Sequence, residues 1–143
     1  MTVEHILLSK GRDVVTIEPQ RSLAEAARVL SERRIGALVV SDAAQPVLGI
    51  LSERDIVRAV ARRGASALNE PVSGSMTEKV MTCTGRMAIN EVMEMMTAGK
   101  FRHVPVVEGG QLAGIVSIGD IVKHRLAEVE AETQAMREYI ATA

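Results

Sequence analysis

The chain contains one short segment twice, and this repeat restricts its possible folds more than any other feature. Residues 49–57 and 114–122 share six of nine positions, including the pattern Gly-h-h-Ser-x-x-Asp, in which h is an apolar residue. Two upstream runs recur in the same order: 14–17 at 80–83, and 37–40 at 104–107. Segments that recur in order indicate a duplicated structural unit, so the chain should fold as two similar halves.

Each half is predicted to form a strand–helix–strand–strand–helix unit. In the first half, the β-rich runs at 14–17, 37–40 and 47–51 are the predicted strands. Ser22, followed by Glu25 three residues later, has the spacing of a helix capping box, so a helix should begin after Ser22. The apolar residues that share one face of this helix are Leu23, Ala26, Ala27 and Leu30.

A second helix is predicted over residues 53–63. Its expected buried face consists of Ile56, Val57, Val60 and Ala61. In the second half, Glu108-Gly109-Gly110 indicates a tight hairpin between the two corresponding strands. The predicted fold class is therefore α+β, with two tandem repeats.

The repeats are assigned to residues 8–64 and 80–130. Residues 65–79, rich in Gly, Ser, Asn and Pro, should form a linker loop, and a C-terminal helix extension is expected at 131–143. A 4-3-4-3-4 spacing of apolar and small residues runs along the tail from Asp120 onward, at Val122, Leu126, Val129, Thr133, Met136 and Ile140. Two interpretations stay open, because such a helix could pack on its own domain or pair with a second subunit.

Composition disfavours several classes of partner. A formal net charge of -1 and an aromatic content of 1% argue against nucleic acid, which needs a basic face or stacking platforms. No apolar run approaches the ~20 residues of a membrane span, and residues 1–5 lack the character of a signal peptide. With only one cysteine, these features predict a cytoplasmic protein without disulfides.

The usual sequence marks of catalysis are missing. Cys83 stands in an apolar strand context, where the role of a small buried hydrophobic residue is expected. His5, His103 and His124 are scattered without metal-ligand spacing. Because no nucleophile–base pair, metal cluster or Gly-rich phosphate loop is recognisable, we expect no enzyme activity, no catalytic cofactor and no metal site.

The repeated Ser-x-x-Asp has two interpretations that are compatible with each other. Ser52 with Asp55, and Ser117 with Asp120, have the spacing of a capping box. A helix N-terminus with free N–H groups also attracts anions, so a phosphate would find backbone donors and a serine hydroxyl there. The aspartate, one turn inside the helix, could accept both hydroxyls of a ribose.

These features together resemble the CBS-domain family. The resemblance covers about residues 8–130 and rests on the duplicated unit, on the two motif copies, and on Val80-Met81-Thr82 and Val104-Pro105-Val106-Val107 in the second copy. It implies two repeats packed about a pseudo-twofold axis into a Bateman module. It also implies regulation by AMP, ADP, ATP, NAD or S-adenosylmethionine, a homodimer, and an unknown regulated partner.

The resemblance further implies two ligand clefts, each shared between the repeats. The residues expected in the first are Ser52, Arg54, Asp55, Thr82, Cys83, Arg102, His103, Val104 and Pro105. Those expected in the second are Thr16, Ile17, Ile35, Gly36, Ala37, Ser117, Gly119 and Asp120. The two aspartates would hold ribose hydroxyls, Ser52, Arg54 and Ser117 would face phosphate, and small apolar strand residues would sandwich adenine.

The two clefts are predicted to differ in charge. The first gathers Arg54, Arg102 and His103, whereas the second has Gly119 where the first has Arg54. The first cleft should therefore prefer more phosphate, and the second should take AMP or the adenosine end of a larger ligand such as NAD. The alternative function is a scaffold protein that keeps the fold without using the clefts, although both ribose-position aspartates are present.

Overall fold

The computed structural model describes residues 1–142 and contains two α+β repeats preceded by a short helix, α1 (Val3–Lys10). The first repeat consists of β1 (Thr16–Ile17), α2 (Leu23–Arg33), β2 (Ala37–Val40), β3 (Gly49–Ser52) and α3 (Glu53–Arg63). The second consists of α4 (Ile89–Gly99), β4 (His103–Glu108), β5 (Gln111–Ser117) and α5 (Ile118–Thr142). The predicted α+β class with tandem repeats and a C-terminal helix is confirmed.

The two sheets follow the same plan. In the first repeat β2 pairs with β1 in parallel and with β3 antiparallel. In the second repeat β4 and β5 are antiparallel, and Cys83 takes the place of β1 through a parallel bridge to Val106. The sheet of each repeat packs on its own helices, so each repeat has a separate apolar core.

The register of the two repeats differs by one residue from the predicted alignment. Ala37 pairs with Ser52 as His103 pairs with Ser117, so residues 37–40 correspond to 103–106 and not to 104–107. All four residues of β2 are buried, and a strand that is buried on both faces has no apolar alternation to fix its register. His103 therefore stands where the first repeat has Ala37.

Local signals predicted several elements correctly. The Ser22 hydroxyl accepts a hydrogen bond from the Glu25 amide at 3.1 Å and caps α2. Gly109 and Gly110, both with positive φ, form the tight turn between β4 and β5. These conformations suit glycine, so the hairpin follows from the sequence.

The buried face of α3 is rotated from the predicted one. Ile56 and Ala59 are buried and Val60 is partly buried, whereas Val57 is 68% exposed and Ala61 is also exposed. The prediction that Val57 and Ala61 face the core is therefore wrong. Alanines and valines on several sides of a short helix make the choice of face ambiguous, and here Ala59 fits closely against the first repeat.

The linker is not a simple loop. It forms 3₁₀ turns at Ala65–Asn69 and Val72–Gly74, and it buries Ala67 and Val72 in the core of the first repeat. Further on, Thr77 pairs with Ile50 of β3 through two backbone hydrogen bonds of 2.9 and 3.0 Å. The linker thereby covers the edge of the first sheet.

The N-terminal helix α1 packs on the second repeat, although it precedes the first. Val3, Ile6 and Leu7 are fully or almost fully buried in the second core. The amide of Val3 donates to the Met87 carbonyl at 2.9 Å, which ties the start of the helix to the same repeat. Residues 1–10 thus reach across the molecule and complete the second core.

The C-terminal helix α5 is continuous over 25 residues, and among its described residues only Ile121 is buried. Leu126 is 57% exposed and Met136 is 60% exposed, and Val122, Val129 and Ile140 are exposed as well. Of the two interpretations of this stripe, packing on its own domain is therefore contradicted. Within residues 1–142, no helix combines the length and the apolar character needed to cross a membrane.

Candidate functional site

A cleft of about 550 Å³, the first cleft, opens between the repeats at the N-terminus of α3. Its wall from the first repeat includes Ser52, Glu53, Arg54, Asp55 and Arg58. The linker contributes Thr77 and Lys79, and the second repeat contributes the segment 99–103 and Ile118. The cleft therefore has one wall from the motif and one from the loop that enters β4.

The motif in the first cleft forms a reciprocal capping box. The Asp55 carboxylate accepts the Ser52 amide at Oδ2 (2.8 Å), and the Ser52 hydroxyl accepts the Asp55 amide at 3.4 Å. Asp55 Oδ1 lies 3.7 Å from the Arg58 guanidinium, which is more than half exposed. One carboxylate oxygen therefore holds the cap, and the other faces an exposed side chain that a ligand hydroxyl can displace.

Cationic side chains predominate around the first cleft. Five of its lining residues are basic and two are acidic; the basic ones are Arg54, Arg58, Lys79, Lys100 and Arg102. Together with the positive end of the α3 dipole, this excess produces a field suited to several phosphate charges.

A smaller second cleft, of about 320 Å³, lies on the other side of the interface between the repeats. The first repeat contributes the segment 34–37 and Val14 and Val15, which lead into β1, and β5 contributes Ile115 and Ser117. Lys10, at the end of α1, and Asp13, between α1 and β1, complete the lining. This cleft therefore has fewer cations and less room than the first.

Asp120 is the aspartate of the second motif copy. Its Oδ2 accepts the Ser117 amide at 2.9 Å, and its own amide donates to the Ser117 hydroxyl at 3.1 Å. Lys10 Nζ lies 2.7 Å from the same oxygen. Burial acts to raise the pKa of Asp120, but the hydrogen bonds from Lys10 and Ser117 and the charge of Lys10 outweigh it, so the pKa lies below the ordinary value.

His103 lines both clefts and stands between them. A Cβ atom on Gly36 would lie 3.3 Å from its Cε1, so the ring fits closely against the first repeat. Burial lowers the pKa of His103, and Lys10 and Arg102 lower it further against the opposing effects of Asp120 and Glu53. The ring is therefore neutral near pH 7 in this structure.

Comparison with known proteins decides the family. The family model of the CBS domain matches residues 3–62 and 72–127, which together make up most of the chain. The chain belongs to the CBS-domain family.

Solved CBS structures and a curated relative agree in fold and sequence. A CBS-domain-containing protein from Agrobacterium tumefaciens is 53% identical with a TM-score of 0.84, over 87% of this chain and 92% of that one. The CBS domain pair of protein MJ0100, solved in complex with 5′-methylthioadenosine and S-adenosyl-L-methionine, is 26% identical with a TM-score of 0.79, over 90% and 98%. The mitochondrial CBS domain-containing protein CBSX3 of Arabidopsis thaliana is 31% identical over 97% of this chain and 71% of its own length. Some curated relatives are much longer, and this chain spans only 23% of one Arabidopsis protein.

The CBS motif residues expected in the first cleft line it, and so do Arg102 and His103. The other expected residues lie elsewhere. Thr82 is exposed and outside the lining, while Cys83, Val104 and Pro105 are buried in the second repeat. Burial raises the pKa of Cys83 to about 11, so its sulfur is a protonated thiol at neutral pH.

In the second cleft, the lining includes Ile35, Gly36, Ala37 and Ser117 from the expected set. Thr16 is exposed outside this lining, and Ile17 lies in the core of the first CBS repeat. Gly119 lies beside Val122 and Leu126 on the outer side of α5. Asp120 is joined to the cleft through its contact with Lys10.

Several cleft residues were missed by reasoning from the sequence. Arg34 and Lys100 are the left-handed C-caps of α2 and α4 and occupy equivalent places in the two clefts. A basic residue at the end of the first helix of each repeat is visible in the sequence, and this match could have indicated both residues. Lys10 had no such signal, because it lies on α1, whose packing on the second repeat is not visible in the sequence.

Proposed function

We propose that this CBS protein is a cytoplasmic sensor that binds adenosine-containing nucleotides in its two clefts and carries out no catalysis of its own. The observation that carries the proposal is the capped aspartate at each cleft. In the first cleft, Asp55 offers Oδ1 to a ribose while Oδ2 stays in the capping box. The adenosine compounds bound by the related MJ0100 pair support this ligand class.

For the first cleft we propose a nucleotide with several phosphate charges, such as ATP, ADP or NAD. The ribose would be held by Asp55, with Ser52 and Arg54 near the first phosphate. Lys79, Lys100 and Arg102 line the same cleft and add charge for further phosphates. Ala37 and Ile50 provide apolar surface for adenine.

For the second cleft we propose AMP or the adenosine end of a larger ligand. Its volume of about 320 Å³ and its fewer cations favour a ligand with less charge. Ile35 and Ala37 would contact adenine, and Asp120 would accept the ribose hydroxyls. Differential affinity of a ligand for two arrangements of the repeats would transmit the signal to a separate regulated protein.

The proposal is tested by thermal unfolding with AMP, ATP, NAD and S-adenosylmethionine. A ligand at about 100 times its dissociation constant should add about 2.7 kcal/mol to the free energy of unfolding, which for a chain of this size corresponds to a rise in Tm of about 9 °C. Asp55→Asn and Asp120→Asn, which keep a side chain able to cap the helix, should reduce the shift. Glu94→Gln, an exposed carboxylate on α4, is the matched control. If no adenosine ligand raises the Tm of folded protein that is free of bound nucleotide, the scaffold function is favoured instead.

We also propose that a second copy of this chain covers the exposed apolar residues of α5. The residues exposed on this helix include Val122, Leu126 and Met136. Lys123 lies near its start and Glu132 further along, so an antiparallel copy would bring opposite charges together. Sedimentation equilibrium should therefore give a dimer, and Leu126→Glu should give a monomer. A wild-type monomer at micromolar concentration would contradict the pairing.

A further inference from the structure

Lys10 reaches the second cleft from the end of α1, the N-terminal helix that packs on the second repeat. Its Nζ lies 2.7 Å from Asp120 Oδ2 and 3.1 Å from the Ile115 carbonyl oxygen. The body of α1 is held independently, because Val3, Ile6 and Leu7 are buried in the second core. The ammonium group can therefore change its partner while the helix stays docked.

The second motif copy supplies no cation of its own. In the first cleft Arg54 directly precedes Asp55, whereas Gly119 directly precedes Asp120. Lys10 brings a charge to this place from outside the motif. An ammonium group on a flexible stem suits a phosphate as a point charge and needs no fixed geometry.

We propose that Lys10 is the charge-selecting residue of the second cleft, where it exchanges the Asp120 carboxylate for the phosphate of a nucleoside monophosphate. This inference rests on the proposed function, because Asp120 is taken to hold the ribose of that ligand. Exchange leaves both charges paired: the ribose hydroxyls donate to Asp120, and the ammonium donates to the phosphate.

A nucleoside without phosphate cannot replace the ion pair that Lys10 loses. Its ribose hydroxyls compete with Lys10 for the same carboxylate, and it offers no anion to the displaced ammonium group. Removal of the lysine charge should therefore lower the affinity for AMP, whereas the affinity for adenosine should stay the same or increase. A lysine that only anchors α1 would affect both ligands alike, so the two roles give different results.

The test is an NMR titration of the isotope-labelled full-length chain with AMP and with adenosine. The backbone amides of Ser117 and Asp120 report the second cleft separately from the first. Lys10→Gln should raise the dissociation constant of AMP on the order of tenfold, as expected for loss of one partly exposed charge-assisted contact. The dissociation constant of adenosine should not rise. Lys10→Arg should restore AMP binding, and Arg28→Gln, an exposed charge on α2, is the control.

The outcomes separate this inference from the proposed function. Selective weakening of AMP supports the role of Lys10. Equal weakening of both ligands, or no change in either, overturns that role and leaves nucleotide binding in place. If neither ligand shifts the NMR signals of the Ser117 and Asp120 amides in the wild-type chain, nucleotide binding in this cleft is disproved, and the role of Lys10 with it.

Discussion

The two repeats carry the same motif, but a different outside segment completes each of them. In the first repeat, Gly49 faces the linker, where a Cβ atom would lie 2.8 Å from the Thr77 carbonyl oxygen. In the second, the equivalent Gly114 faces α1, and a Cβ atom would lie 2.6 Å from Leu7 Cδ2. The first repeat is closed by the Met76 side chain, 2.7 Å from the same position, together with the Thr77 backbone, and the second by an apolar side chain alone. The duplicated sequence has therefore acquired two different partners.

The same outside segments also make the clefts different. The linker contributes Lys79 to the first cleft, and the α1 region contributes Lys10 and Asp13 to the second. Ile17 and Cys83 occupy equivalent places in the two repeats, because Ile17 pairs with Val40 of β2 as Cys83 pairs with Val106 of β4. The offset between the repeats is 66 residues at this point, so Asp13 corresponds to Lys79. Opposite charges at equivalent places show that the charge of a cleft is determined by its surroundings as well as by its motif.

The largest expected effect concerns the two glycines. Gly49→Ala should lower the free energy of unfolding by about 2–3 kcal/mol, because the added methyl group meets backbone that cannot move aside. Gly114→Ala should cost about 1 kcal/mol, because the Leu7 side chain can shift. Urea unfolding of both variants measures the difference. Equal losses would mean that the two repeats are closed in equivalent ways.

The next effect concerns the motif cation of the first cleft. Arg54→Ala should raise the dissociation constant of ATP on the order of tenfold, because a charge-assisted contact to phosphate is lost. Binding of adenosine should stay unchanged, since Arg54 is assigned to phosphate alone. Calorimetric titration with both ligands measures this, with Arg28→Ala as the control. Equal losses for ATP and adenosine would remove the assignment.

The smallest effect is a dependence on pH through His103. The pKa of its imidazole is lowered by burial and by Lys10 and Arg102, so below about pH 6.5 the unfolded chain takes up a proton before the folded chain does. Stability should therefore fall as the pH drops through this range. A phosphate beside His103 would raise the pKa of the ring, so affinity for ATP should increase about threefold from pH 7.5 to 6. In His103→Gln this increase should disappear; its persistence would assign the proton to another group.

Local spacing was enough to predict part of the fold and of the site. Ser52 with Asp55 and Ser117 with Asp120 form capping boxes because this interaction spans only three residues. The packing of α1 was not predictable, since Val3 and Leu7 meet partners more than 80 residues away in the chain. The one-residue error in register placed Val104 and Pro105 in the cleft wall, because a strand buried on both faces gives no sign of its register. Cleft residues carried by the motif were therefore accessible from the sequence, and those brought by the packing of outside segments were not.

The most direct test of the account is calorimetric titration of the full chain with ATP and with AMP. We expect one tight site for ATP per chain, lost in Asp55→Asn and kept in Asp120→Asn, and a site for AMP that is lost in Asp120→Asn. Two equivalent sites for ATP, weakened to the same extent by either substitution, would contradict the claim that the two clefts have different ligands.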